Sequence, residues 1–268
     1  MAGATASVES VQIGNMKQIA CEMVEEGALA LWWLGQAGYA LKASSGHVLF
    51  IDPYLSDSVA GHGGPHRLYP PPLDPAGLSG DLLLTTHNHD DHLDPETVRA
   101  IQDPGRFTFV GPRNCCIHFA RLGIPESSIV KVDAGEEVEV SGIRIKGTFT
   151  IPNDDNALDS EGFLITFPGG IVVYHSGDTA YHKFLTYLEK YEIDIVLPCI
   201  NGKYGNMSAS EAAELARAIG PKLVIPNHYD IFADNQADPE EFRKLVADVG
   251  PSTQCRVLRV MEKFVYRR

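Results

Sequence analysis

Apolar positions recur at helical spacing over residues 12–26, where Ile13, Met16, Ile19, Ala20, Met23 and Val24 share one face and Gly27 stops the pattern. One amphipathic helix is predicted there. Three β-like runs follow at 28–34, 39–42 and 47–51, separated by the turns Gly35-Gln36-Ala37-Gly38 and Ser44-Ser45-Gly46, which predicts an antiparallel meander. Residues 56–80 are rich in glycine and proline and carry no period, as expected of a long surface loop. A short buried strand is predicted at 81–86. Asp94 and Pro95 then supply the N-cap and first position of a helix to 102, followed by a strand at 107–110, a helix at 115–122 and a strand at 129–132. Residues 135–150 read as a hairpin turned at Ser141-Gly142, and 162–167 with 171–175 as a second turned at Gly169-Gly170. The remaining pattern alternates helix 180–191, strand 193–198, helix 208–219, strand 223–226, helix 239–249 and a last strand at 254–266. Strands interleaved with helices, and hairpins in both halves, predict stacked sheets covered by helices with loops gathered at one edge.

Composition narrows the class. The 268 residues contain no linker-like stretch and 44% are hydrophobic, so one domain over 1–268 with a substantial core is expected, residues 1–10 being a flexible N-terminus. A formal charge of −13, from 35 acidic and 22 basic residues, opposes non-specific nucleic-acid binding and fits a cytoplasmic protein. Five cysteines without metal-like spacing make neither a disulfide framework nor a thiolate site. No run approaches the roughly 20 apolar residues that cross a bilayer, and the N-terminus lacks a basic leader. The expected partners are therefore a small-molecule substrate, an anionic one needing a local exception to the acidic field, and further copies of the chain in a homo-oligomer. Neither membrane nor nucleic acid is expected.

The strand at 81–86 runs straight into His87-Asn88-His89-Asp90-Asp91-His92, with three imidazoles and two carboxylates in six residues. Imidazole nitrogen and carboxylate oxygen are ligands for zinc, manganese and iron, and a strand end releasing into a loop lets alternate side chains converge. A solvated polar loop is the bland alternative. Asp178 in Ser176-Gly177-Asp178, and His228 in Asn227-His228-Tyr229-Asp230, also follow apolar strands. Taken singly, the Asp reads as a helix cap and the His as a hydrogen-bonded structural residue; with the cluster at 87–92 they become ligand candidates.

An HxHxDH run after a strand, an Asp closing an early strand, a later Asp and a final His, in this order, resemble the metallo-β-lactamase superfamily of metal hydrolases. His87, His89, Asp91 and His92 match the run, Asp52 the early Asp, Asp178 the later Asp and His228 the final His. Within it, Trp32-Trp33-Leu34-Gly35, Tyr174-His175-Ser176-Gly177-Asp178, Ile225-Pro226-Asn227-His228-Tyr229-Asp230-Ile231 and Gln236-Ala237-Asp238-Pro239 resemble the L-ascorbate-6-phosphate lactonase family. The resemblance implies an α/β fold of four layers, an αββα sandwich. It also implies one or two divalent ions, with His87 and His89 at a first site, Asp91, His92 and His228 at a second, and Asp178 bridging. The superfamily's isolated histidine is missing, because the chain reads Ile151-Pro152-Asn153-Asp154-Asp155-Asn156 there; Asp154 is the match to the lactonases' Asp. Thiolate-free ligands leave manganese and zinc open, and the lactonase resemblance favours manganese.

Metal-bound hydroxide attacking a lactone or ester is the implied chemistry, with Asp91 holding metal and orienting the nucleophile or shuttling its proton. Asp52 is expected to fix a ligand imidazole through its other N–H, and Asp90, His175 and Asp230, as neighbours of ligands, to serve in the same way or simply to be solvated. Lys203, Asn201, Tyr181 and His182 are placed to meet substrate, with solvated surface positions as the alternative. A phosphodiesterase of the same fold and a non-catalytic metabolite- or RNA-binding protein on this scaffold are the rival functions.

Overall fold

The computed structural model describes residues 13–151, 157–250 and 252–268. In its first half lie α1 (Met16–Ala20), β1 (Ala28–Gly35), β2 (Gly38–Ala43), β3 (Val48–Ile51), α2 (Ser58–Gly61), β4 (Leu82–Leu84), α3 (Pro95–Ala100), β5 (Thr108–Gly111), α4 (Arg113–Arg121) and β6 (Ile129–Lys131). The second half holds β7 (Glu137–Val140), β8 (Ile143–Phe149), β9 (Glu161–Thr166), β10 (Val172–His175), β11 (Ile195–Leu197), α5 (Ala209–Ile219), β12 (Leu223–Val224), α6 (Pro239–Val249), β13 (Gln254–Cys255) and β14 (Lys263–Arg267).

The strands form two seven-stranded sheets, ordered β14-β1-β2-β3-β4-β5-β6 and β13-β12-β11-β10-β9-β8-β7. Each sheet is antiparallel in one half, β14 to β3 and β7 to β10, and parallel in the other, β3 to β6 and β10 to β13. All eight residues of β1 are buried, as expected of a strand covered on both faces. One apolar cluster, including Trp32, Phe50, Phe109, Phe163 and Val196, runs through both sheets, and each such fully buried side chain contributes roughly 1.5–3 kcal/mol. Helix α4 packs on β5 and β6, α6 on β13, and α5 beside α6, so helices flank the paired sheets. The parallel strands open toward one edge, the usual position for a site in such sheets. Two hydrogen bonds tie the sheets together at that edge: Glu161 N–H donates to the Thr86 carbonyl (3.1 Å), and His175 Nε2–H to that of Ala37 (2.8 Å).

Three expectations are corrected. The helix predicted over 12–26 is only the short α1, because Ile13 and Met23 of the supposed stripe face solvent and Ile19 alone is buried. Buried Lys42 donates from Nζ to the carbonyls of Ile19 (3.1 Å) and Ala20 (2.6 Å), closing the helix end where further turns were expected. The strand predicted over 254–266 divides into β13 and β14 in different sheets; the crossing turns at Met261, whose φ of 62° is left-handed and whose N–H donates to the Trp33 carbonyl. The helix predicted over 180–191 is a 3-10 segment, Lys183–Tyr191, stopped by left-handed Glu192. The flexible N-terminus expected over residues 1–10 lies outside the described residues. Among the described residues no helix is long and apolar enough to cross a membrane.

Candidate metal centre

Leu82, Leu83 and Leu84 are buried in β4 between β3 and β5, and the chain leaves them through buried Thr85 and Thr86 into the histidine run. A tight turn, with the N–H groups of His92 and Leu93 both donating to the His89 carbonyl, folds the run back on itself. Asp94 anchors its far end by capping α3 and accepting from Leu55 N–H and the Thr97 hydroxyl. His87 and His92 thereby enter one ligand group, whereas His89, expected as a ligand, belongs to neither group found among the described residues and sets its Nδ1 3.0 Å from His87 Nε2.

Other strand ends deliver the rest. Gly177 has φ 56°, and a Cβ there would lie 2.5 Å from the Glu161 carbonyl oxygen, so glycine is required for the turn that presents Asp178. His228 is also left-handed, at φ 59°, held by its N–H donating to the Gln36 carbonyl (2.9 Å). Asp178 Oδ1 then lies 3.2 Å from His228 Nε2 and 3.4 Å from His92 Nε2, and those two nitrogens are 3.2 Å apart. Asp91 Oδ2 is 3.6 Å from His228 Nε2 and 3.7 Å from His92 Nε2. Two ligand groups result, His87 with His92 and Asp178, and Asp91 with His92 and His228, and they share His92.

The electrostatics fit a cation at their centre. Burial raises Asp178 and Asp91, but the surrounding imidazoles, His228 and His92 foremost, outweigh it and hold both carboxyls below the ordinary range. Burial lowers His92, yet Asp178, Asp91 and Asp52 overcome it and push the imidazole up to about 9; His228 is raised in the same way by Asp178 and Asp91. His87, lowered to about 3 by burial and by His92, keeps a neutral lone pair. Imidazole nitrogens and carboxylate oxygens thus crowd one point, and Asp178 Oδ1 is buried without a hydrogen-bond partner. A group of acceptors this dense needs positive charge between them, and a thiolate-free set of N and O donors suits a divalent cation.

Around this centre the orientation of each group is fixed. Asp52 Oδ2 accepts from His92 Nδ1–H (2.8 Å) and the Thr86 hydroxyl (2.7 Å), while Oδ1 accepts from Thr86 N–H (2.8 Å). His92 therefore turns the lone pair of Nε2 inward. Asn206 donates to Asp178 Oδ2 (2.8 Å), and Asn201 donates to Asn235 Oδ1 (2.9 Å), whose own amide nitrogen lies 3.4 Å from His228 Nδ1. Asn201, expected at the substrate, is thus joined to Asn235, which stands beside His228.

The other expected residues sit apart from the ligand groups. Asp90 faces His62 Nδ1 at 2.5 Å, and His175 bridges the sheets, accepting Gly177 N–H at Nδ1 while donating to Ala37. The Asp230 carboxyl is raised by burial and belongs to neither group. Lys203 donates from Nζ to the Asp234 carbonyl (2.5 Å), His182 caps the 3-10 segment through Phe184 N–H (3.1 Å), and half-buried Tyr181 packs against the core. Asp154 lies outside the described residues. Gln36, Asn206, Asn235 and Thr86 went unrecognised in the sequence. Gln36 stood in a turn legible only by its glycines, and nothing local marks an amide that reaches a distant carboxylate.

Residues 30–228 match the family described as Beta-lactamase superfamily domain. The chain belongs to the β-lactamase superfamily. Its two seven-stranded sheets form the fold of that superfamily, and the chain carries its own His/Asp cluster. A relative from Escherichia coli O127:H6 (strain E2348/69 / EPEC), named "Probable L-ascorbate-6-phosphate lactonase UlaG", is 29% identical over 85% of this chain and 77% of its own length. Among solved structures, Igni18, a metallo hydrolase from the hyperthermophilic archaeon Ignicoccus hospitalis KIN4/I, aligns at TM-score 0.74 with 21% identity over 90% of this chain and 99% of its own. The isothiocyanate hydrolase from Delia radicum gut bacteria aligns at TM-score 0.73 with 18% identity over 89% and 100%. These two likenesses concern the fold.

Proposed function

We propose that this β-lactamase superfamily protein is a divalent-metal-dependent hydrolase that opens a lactone or a closely related ester. The observation that carries the proposal is the convergence of Asp91, Asp178, His92 and His228 on one point, with Nε2 of His92 and of His228 only 3.2 Å apart. The 29% identity to the lactonase relative supports the lactone over other esters.

Asp91, His92 and His228 would hold one ion, and His87 and Asp178, with His89 and Asp154 as further candidates, would hold a second; manganese and zinc both suit these donors. A bound divalent cation supplies Lewis acidity that brings the pKa of water toward neutrality and polarises a carbonyl. The chain's own groups do the rest. Asp91, partly open to solvent, takes the proton of the attacking water and returns it to the alkoxide that leaves as the ring opens. Asp52 keeps His92 in the tautomer that faces the centre, and Asn206 does the equivalent for the Asp178 carboxylate.

Elemental analysis of protein purified without chelator, followed by a hydrolysis screen with that metal restored, tests the proposal. Sugar lactones, their phosphorylated forms and an activated phosphodiester form the panel. Manganese or zinc at one or two equivalents, with lactone turnover abolished by chelation, is the expected result. Absence of any bound transition metal overturns it, and turnover of the phosphodiester alone assigns the chain to phosphoryl chemistry.

A further inference from the structure

Gln36 is fully buried in the turn between β1 and β2, and its backbone and side chain have separate tasks. Its carbonyl accepts from His228 N–H (2.9 Å) and from Trp33 Nε1–H (3.0 Å), which fixes the loop behind His228. Those bonds need only a residue that tolerates φ 49°. The side chain goes further: Nε2 donates to Asp91 Oδ2 at 2.7 Å and lies 3.3 Å from His228 Nε2. Its Oε1 is buried with no hydrogen-bond partner. A desolvated orphan acceptor is destabilising, so stability alone does not explain an amide at this position; its direction toward Asp91 does.

We propose that Gln36 is a positioning residue that selects which oxygen of Asp91 faces the cation. The oxygen it binds, Oδ2, is also the one aimed at the Nε2 atoms of both His92 and His228. One N–H donor thus locks the Asp91 carboxylate in rotation, commits Oδ2 to the ligand side, and leaves Oδ1 free of this bond and available for the proton of water. Without the amide the carboxylate swings, and both its ligand role and its proton role lose definition. The inference rests on the proposal that this cluster is a metal centre, and it concerns a residue outside both ligand groups.

The test uses the full chain and Co(II) as probe. Wild type, Gln36→Met (similar volume, no donor) and Gln36→Asn (tolerant of the left-handed turn, one methylene too short) are titrated with Co(II) against a chromophoric chelator, recording the visible d–d bands. Both variants should bind the equivalent held by Asp91 about 10–100-fold more weakly, the usual effect of losing a bond that orients a ligand, with shifted bands and metal-free melting close to wild type. In an Asp91→Ala background the same substitutions should add no further loss, since Gln36 acts through Asp91. Wild-type affinity and spectrum in both variants overturn the proposal, as does an undiminished effect in the Asp91→Ala background. If wild type itself binds no Co(II), the metal centre fails, a result visible in that titration alone.

Discussion

Asp52 Oδ2 lies 2.8 Å from Nδ1 of His92, with both side chains wholly buried. This contact makes the tautomer of His92 a property of the fold. The Asp52 carboxyl is raised by burial but drawn down further by His92, so it is ionised and accepts the Nδ1 proton. Asp52→Asn keeps the shape but can present an N–H to Nδ1, which would move the ring proton to Nε2, into the centre. Metal affinity is expected to fall about 10–100-fold, with hydrolysis falling in step. Calorimetric titration with manganese or zinc measures it.

Asn206 grips Asp178 Oδ2 and leaves Oδ1 facing His92 and His228. Asp178→Ala should abolish hydrolysis by removing the shared carboxylate. Asn206→Ala should leave the fold intact and weaken metal binding by about tenfold, because the carboxylate can then rotate. Steady-state rates over a metal titration separate the two: added metal rescues Asn206→Ala and not Asp178→Ala.

The Glu161 carboxyl belongs to neither ligand group and is buried, with neither oxygen hydrogen-bonded. Burial, then Asp133 and Asp159, push its carboxyl from 4.5 up to about 9. The folded protein therefore keeps a proton that the unfolded chain releases, and its contribution to stability is fully present below pH 4.5 and is lost as pH rises toward 9. The slope is at most about 1.4 kcal/mol per pH unit. Glu161→Gln removes that term, so its gain in stability over wild type should grow from pH 5 to pH 8. Urea unfolding at both pH values decides it; an equal difference at the two would show that Glu161 is ionised in the fold.

His182 accepts Phe184 N–H at the start of the 3-10 segment and packs its ring on Phe184. As a cap it contributes stability. His182→Ala should lower stability by about 0.5–2 kcal/mol and leave KM unchanged. A selective rise in KM would return His182 to the pocket.

The frame of the site was legible in the sequence because its chemistry is local at each strand end. The run at 87–92 follows a three-leucine strand, and Asp178 and His228 each follow an apolar strand with a short turn, so type and place could be read together. What escaped was contact across the sandwich. Gln36 and Asp91 are 55 positions apart, and Asn201 reaches Asn235 over 34, pairings that no periodicity records. The N-terminal helix and the last strand were misjudged for a related reason. Lys42 ends α1 from another strand, and the turn at Met261 is set by Trp33, so both boundaries depend on tertiary partners.

The pairing of β1 with β14 has a consequence for how the molecule is made. Ala28 lies opposite Arg267, so the first strand and the last lie side by side in one sheet. A ribosome releasing the chain from its N-terminus has delivered the histidine run and most of the first sheet long before β14 emerges. Until then the hydrogen-bonding edge of β1, a strand of apolar residues, has no neighbour on that side, the kind of exposure that invites aggregation. Completion of this sheet thus waits for β14, and chaperone demand on the exposed edge of β1 should fall only when that strand docks.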